Sequence, residues 1–374
     1  MEFKEYLAGH REEMTEMLRT VVEHETPSHE KVSLDSFASY LSEMFRGLGC
    51  HVELIEQAEA GNHLRASWGE GKEQALVLCH MDTVWPLGET KKRPFRIENG
   101  KATGPGVYDM KGGLVQAFFA LKAIIDLGIT VPRRIVFLCN SDEEIGSGSS
   151  RILIEEEAKR SAFVLLPEPT YGPEGAAKLA RKGWGMFDVT VTGRAAHAGS
   201  EHAKGINAVE ELAHQILKLQ AMTNYAAGTT ISVGETHGGS GYNVIPDLAT
   251  TKVDLRASTE AELSAAQDKI QNLVPVLTGT TITVVGTINR PPLEPTPANA
   301  VLYQKARGFA RELGFELPGV HVGGVSDGNF TSAVGVATLD GLGAVGDGPH
   351  TVHEYLVLDS MAPRAALIAK LLSE

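Results

Sequence analysis

Ala75-Leu76-Val77-Leu78-Cys79-His80-Met81-Asp82 is an apolar run of five residues that ends abruptly in a histidine and a carboxylate. The run is short for a helix and has no polar alternation, so it reads as a strand covered on both faces. Ile135-Val136-Phe137-Leu138-Cys139 repeats the construction and is followed by Asn140-Ser141-Asp142-Glu143-Glu144. Phe163-Val164-Leu165-Leu166, followed by Pro167-Glu168, repeats it again. Helical spacing fills the intervals, at about 113–127 and 148–159, and strand-helix-strand-helix-strand predicts a mostly parallel sheet with helices on both faces. Upstream, about 4–21 and 34–48 space apolar residues like amphipathic helices.

Beyond Lys182 the texture changes. Strands are expected at 184–192, 229–235, 249–257 and 281–285, with helices at 206–222 and 260–274, the βαββαβ order of a ferredoxin-like α+β unit. Arg290-Pro291-Pro292-Leu293-Glu294-Pro295-Thr296-Pro297 is a proline-dense return segment. After it come a helix at 298–313, a Gly-rich stretch, a short strand at 336–339 and a helix at 360–372. The expected α/β protein therefore has a discontinuous larger domain, 1–180 and 289–374, interrupted by an inserted domain, 181–288. Its 374 residues exceed the roughly 250–300 at which single cores stop growing.

Composition narrows the partners. With 47 acidic and 34 basic residues the formal charge is −13, and no Lys/Arg run exceeds Lys91-Lys92-Arg93. That balance argues against nucleic acid and anionic membrane as partners. Met1 to Leu7 lacks the apolar core of a secretory signal, no stretch reaches membrane-spanning length, and a cytoplasmic location is the expectation. Cys50, Cys79 and Cys139 are too few for a disulfide framework and are expected to be reduced, buried thiols.

Ligands of open parallel sheets bind beyond the carboxyl ends of the strands. The first three runs deliver His80 and Asp82, then Asp142, Glu143 and Glu144, then Glu168, to one edge; Asp340 follows the last strand, with His350 ten residues on. Asp109, in Gly104-Pro105-Gly106-Val107-Tyr108-Asp109-Met110-Lys111-Gly112-Gly113, precedes the first crossover helix. Singly, each has an ordinary structural role: a strand-end histidine, a helix N-cap, a solvated acidic turn. Together, so many carboxylates at one edge repel one another unless cations neutralise them, and a mixed His/carboxylate set suits zinc. His80 and Asp82, two apart in an extended chain, project to one side, so Asp82 is placed to hold the second imidazole nitrogen. Adjacent Glu143 and Glu144 point apart, one toward metal and one free as a general base.

In this order, His80-x-Asp82, Gly106-x-x-Asp109-x-Lys-Gly-Gly, Asp142-Glu143-Glu144-x-Gly146-Ser147, Pro167-Glu168-Pro169, Gly193-Arg194-x-x-His197-x-Gly199 and His350-x-x-x-Glu354 closely resemble the co-catalytic zinc amidohydrolase superfamily. That superfamily includes glutamate carboxypeptidase, aminoacylase, acetylornithine deacetylase and succinyl-diaminopimelate desuccinylase. The resemblance is greatest to the glutamate carboxypeptidase branch and spans nearly the whole chain. It implies two Zn²⁺ per subunit, with Co²⁺ or Mn²⁺ as substitutes. Asp109 would bridge them, His80 and Glu168 completing one site, Glu144 and His350 the other. Glu143 would be the general base, Asp82 would orient His80, and His197 would reach a partner's active site from a homodimer built on the inserted domain. Asn243 and Arg256 match positions that contact substrate, Arg256 its free carboxylate. The position of Glu354 selects His350 over His353 as the last ligand. The expected reaction is hydrolysis of an amide bond next to a free α-carboxylate, a carboxypeptidase releasing an amino acid such as glutamate from a small peptide or N-acyl substrate. N-acyl amino acid deacylation is the alternative.

One competing pattern exists. Gly324-Val325-Ser326-Asp327-Gly328 fits the nucleophile elbow of serine hydrolases, with Asp340 and His350 downstream in the required order. The residues around Ser326 make a poor strand before it and a poor helix after it. Within the metal reading, the same loop is expected to wrap the substrate.

Overall fold

The strands that carry the chemistry belong to a six-stranded sheet, described by a computed structural model of residues 2–374. Its order is His51–Ile55, His63–Trp68, Arg134–Asn140, Gln74–His80, Ser161–Leu165, Ala337–Leu339. The first two join antiparallel and the other four run parallel. Gln74–His80 lies between the two strands that follow it in sequence, so the chain reverses its direction of travel across the sheet at this strand. Such a switch point opens a crevice at the carboxyl end, and His80 is the residue that ends there.

Alternate residues of the central strands feed two cores. Ala75, Val77, Ile135 and Phe137 join the side covered by the Gly112–Asp126 and Met361–Leu372 helices. Leu76, Leu78, Val136 and Leu138 join the side holding Ile154, Ala158 and Phe330. These side chains are 0–1% exposed, and each Val, Leu, Ile and Phe among them contributes about 1.5–3 kcal/mol of burial. Two-sided burial is why the runs lack polar alternation.

Several local features depart from the sequence expectation, among them a strand, Gly319–Val322, and a helix, Gly328–Ala333, flanking Ser326 where the residues read as poor formers of either. The stretch read as one N-terminal helix is two, Glu2–Gly9 and Arg11–Glu23, parted at His10, whose Nδ1 bonds the Tyr6 carbonyl at 2.7 Å. The antiparallel strands His51–Ile55 and His63–Trp68 were not foreseen, because their burial is mixed and they carry no continuous apolar run. Arg96–Glu98, Lys101–Thr103, Gly346–Asp347 and Tyr355–Val357 form a further small sheet, each strand too short to leave a periodic signal.

The chain divides into two compact units, 2–179 with 295–322 and 326–374, and 180–294 with 323–325. The second unit is a four-stranded antiparallel sheet in the order Thr230–Gly238, Leu248–Ala257, Gly183–Thr192, Thr281–Arg290. With helices Ala208–Gln220 and Glu260–Gln271 as the crossovers, this is the ferredoxin-like arrangement expected from the sequence. Asn207 and Thr259 cap these helices, their side chains accepting Val209 and Glu210, and Glu262, backbone N–H groups respectively. Among the described residues no helix is long and apolar enough to cross a membrane, and Cys50, Cys79 and Cys139 are buried and unpaired.

Candidate metal centre

His80 leaves the central strand with Nε2 facing Asp109 Oδ1 at 3.2 Å and Glu168 Oε1 at 3.7 Å. The other Asp109 oxygen, Oδ2, lies 3.4 Å from His350 Nε2, which is 3.0 Å from Glu144 Oε2. Asp109 thus offers one oxygen to each of two groups, His80-Asp109-Glu168 and Asp109-Glu144-His350, with donor atoms within 4.8 Å of one another in each. Imidazole nitrogens mixed with carboxylate oxygens form a donor set suited to zinc, so the residues fit a pair of such ions.

Local sequence explains the convergence. Asp109 sits in a π-turn ahead of the Gly112–Asp126 helix, and its side chain makes no cap bond to that helix, which sets aside an N-cap role. The Asp109–Met110 peptide bond is cis. Glycine is required at 113, since a Cβ there would collide with the Pro167 carbonyl oxygen, and this close approach lays the Glu168 loop beside Asp109. His350 is at φ +61°, a left-handed backbone uncommon outside glycine, at the tip of the hairpin between Gly346–Asp347 and Tyr355–Val357. Glu354 ties that hairpin to Asp109. Its carboxylate accepts the N–H groups of Gly106, Tyr108 and Asp109, each at 3.0 Å, and the Trp85 indole at 3.2 Å. The His350-x-x-x-Glu354 spacing therefore puts a candidate ligand and the carboxylate that anchors its loop on one hairpin. His353 is exposed and turned to a different part of the surface.

Asp82 departs from its expected geometry. His80 Nδ1 bonds the backbone carbonyl of Asp82 at 3.0 Å, while the carboxylate is 3.5 Å away. The carboxylate instead accepts the N–H groups of Glu143 at 3.2 Å and Glu144 at 3.1 Å, and the Ser28 hydroxyl at 2.7 Å. Asp82 therefore fixes the His80 tautomer mainly through its main chain, leaving Nε2 for a metal, and fixes the acidic turn through its side chain. Ser28 was not singled out in sequence, lying in an ordinary-looking loop. That loop is held by Thr83 N–H on the Thr26 carbonyl at 2.8 Å and by buried Lys111, whose ammonium donates to the His24 carbonyl at 2.6 Å.

Imidazoles and carboxylates in contact shift one another's titration strongly here. Asp109 and Glu144 beside it push the His350 imidazole up to about 11. Burial opposes charge on His80, yet Asp109 and Asp82 outweigh it and raise its pKa well above the ordinary value. Asp109, though buried, is held far below the carboxylate range by His350 and His80, while burial raises Glu144 and pushes Glu354 up to about 7. Beside Asp109 opens a cavity of about 750 Å³, walled by Tyr108, Tyr171, Pro173 and Asp347 among others.

Ser326 is not arranged as a nucleophile. It is fully buried, its hydroxyl donates to Asp340 at 2.6 Å, and His350 is engaged with Asp109 and Glu144. Neighbouring Asp327 accepts the Asn140 amide at 2.7 Å and the Ser147 hydroxyl at 2.5 Å, bracing the strand end and turn that present Glu143 and Glu144. Gly323, Gly324 and Val325 offer their carbonyls to Arg256 and Arg181.

Three sequence candidates lie in the second unit. His197 pairs with Val244 on a two-residue ribbon, and the Asn243 carbonyl accepts the Ala198 N–H at 2.9 Å, so His197 and Asn243 are neighbours on an exposed edge. The His197 Nδ1 accepts the N–H groups of Gly199 and Ser200, both at 3.1 Å, which leaves the ring proton on Nε2 as an outward donor. Arg256 is braced by Asp254 at 3.2 Å and lies over the Trp184 ring.

Comparison with known proteins agrees with this chemistry. Residues 76–374 match the model of peptidase family M20/M25/M40. The sequence is 30% identical to carboxypeptidase G2 of Pseudomonas sp. (strain RS-16) over 365 residues, 96% of this chain and 88% of that protein. It is 26% identical to succinyl-diaminopimelate desuccinylase of Dechloromonas aromatica (strain RCB) over 367 residues, 89% and 92% of the two chains. The fold matches the crystal structure of aminopeptidase PepT from Bacillus cereus ATCC 10987 with a TM-score of 0.80 at 21% identity, covering 97% and 98% of the chains. The protein belongs to peptidase family M20/M25/M40, a family of metal-dependent peptidases and amidohydrolases.

Proposed function

We propose that the protein is a di-zinc carboxypeptidase that hydrolyses an amide bond next to a free α-carboxylate, releasing an amino acid such as glutamate from a small peptide or N-acyl substrate. The observation that carries this reading is Asp109 offering one oxygen to each of two His/carboxylate groups. His80, Asp109 and Glu168 would hold one ion, and Asp109, Glu144 and His350 the other. Zinc bound there supplies Lewis acidity and lowers the pKa of water. Glu143, on the turn that Asp82 holds, takes the proton of the attacking water and returns it to the leaving nitrogen. The Nε2–H of His197 stabilises the developing oxyanion from a partner subunit, and Asn243 and Arg256 receive the substrate, Arg256 through its carboxylate. The cavity beside Asp109 has room for the acyl part. The likeness to carboxypeptidase G2 over nearly the whole chain supports carboxypeptidase action. The likeness to a desuccinylase supports N-acyl amino acid deacylation as the second reading.

The test is a panel of N-acyl amino acids and dipeptides assayed before and after chelation. Turnover is expected to vanish with chelator and return with Zn²⁺, Co²⁺ or Mn²⁺, and to depend on a free C-terminal carboxylate. Activity that survives chelation sinks the metal reading, and selectivity for short acyl groups regardless of the amino acid favours the deacylase.

A further inference from the structure

A second cavity, of about 550 Å³, lies between the Glu89–Lys92 helix and the hairpin that carries His350, and its lining includes Lys92, Arg93, Arg96, Lys101 and His353. In a chain of formal charge −13, residues 91–101 hold five Lys/Arg and one carboxylate, Glu98. Such a local excess of one sign raises the free energy of the empty groove and draws counter-charge to it.

Pairing inside the groove is incomplete. One carboxylate, Glu89, serves both Lys92 at 3.1 Å and Arg93 at 2.7 Å. The Arg93 guanidinium lies 3.9 Å over the Trp85 ring, and its buried Nη2 has no hydrogen-bond partner. Arg96 and Lys101 project from one face of an antiparallel hairpin and have no ion-pair partner among the described residues, although Glu98 stands opposite Lys101 in register. Lys101 Nζ instead sits 3.7 Å from the centre of the Tyr355 ring. The Glu354 carboxylate in the wall is engaged by three backbone N–H groups and the Trp85 indole, and does not neutralise the cations around it.

We propose that this groove is a binding site for an oxyanion, a carboxylate, sulfate or phosphate group, carried on the acyl side of the substrate or arriving as a free ion. Arginine forks and lysine points are the donors that such anions take. Val352 to Tyr355 also line the groove, two residues beyond His350 in the chain, and Tyr355 pairs with Thr103 in the same small sheet. Occupancy by a substrate group rests on the amidohydrolase reading; occupancy by a free anion does not.

Two measurements on the zinc-loaded protein test this. In the first, tryptophan fluorescence follows a sodium sulfate titration at ionic strength held constant with sodium chloride, with Trp85 beneath Arg93 as the reporter. A saturable change is expected, and its loss in the R96Q/K101Q double variant. In the second, kcat/KM is compared for N-acyl amino acids whose acyl chains end in a carboxylate or in the matching carboxamide. A wild-type preference for the carboxylate of about fivefold, abolished in the double variant and weakened by salt, assigns the groove to substrate. Saturable sulfate binding without that preference assigns it to a free anion. An unsaturable response to sulfate, equal in wild type and variant, together with no acyl preference, overturns the proposal. Inactivity toward all N-acyl substrates strikes the reading of the reaction and leaves the sulfate result to decide the groove.

Discussion

Two adjacent glutamates on a three-residue turn differ in what each side chain faces, and the roles proposed for them follow from that difference. Glu144 Oε2 faces His350, whereas Glu143 shares the turn without belonging to either donor group. Glu143→Ala is therefore expected to keep its metal content, measured by atomic emission, while kcat falls by about 10²–10⁴-fold, the usual worth of a general base. Turnover near that of the wild type removes Glu143 from that role. Asp82 gathers the Glu143 and Glu144 N–H groups and the Ser28 hydroxyl. Asp82→Asn replaces one acceptor oxygen by a donor, and zinc affinity or activity is expected to fall about 10–100-fold in competition titrations and rate assays. Ser28→Ala follows in the same direction with a smaller loss. An Asp82→Asn enzyme with unchanged affinity and rate would mean that the turn holds itself.

Elements rather than single residues decide how the second unit responds to acid. Glu211, fully buried on the Ala208–Gln220 helix, accepts the backbone N–H groups of Val276 and Leu277 and the Thr280 hydroxyl, fastening the 272–280 loop to the helix. Burial alone pushes its carboxyl up, but these donors and Gln215 outweigh it and leave the pKa below the ordinary 4.5. A depressed folded-state pKa means stability that is present above about 4.5 and lost as pH falls through the folded value. Glu211→Gln is expected to cost about 1–3 kcal/mol at neutral pH and to flatten the acid limb of stability, read by urea denaturation between neutral and acid pH. Parallel stability curves for the two proteins would locate the acid response elsewhere.

At the scale of the whole molecule, the proposed homodimer with His197 acting across it makes a test that no single chain can imitate. Glu143→Ala and His197→Ala proteins, each inactive, are expected to regain about a quarter of wild-type activity when refolded together, because half of the dimers are mixed and one of their two sites is complete. Continued inactivity of the mixture, with mixed dimers demonstrated, would place His197 in its own subunit's chemistry or outside catalysis. The sequence by itself determined a great deal here. Two-sided burial writes continuous apolar runs, so the parallel strands and their helices were legible, as were the histidine and carboxylates that gather at the strand ends and the antiparallel sheet of the second unit. What remained hidden was whatever depends on contacts between distant segments. Short strands such as Lys101–Thr103 gain their stability from neighbours rather than from pattern. Ser28 becomes a partner of Asp82 only when a loop 54 residues away folds against it. Asp82 itself, placed by spacing alone toward His80, turned its carboxylate to the Glu143 turn because two backbone N–H groups there had to be satisfied. Residue type and spacing set which atoms could donate to a metal; only the closing of the chain around Asp109 decided which of them stand together, and left Arg96 and Lys101 lining a groove with no ion-pair partner among the described residues.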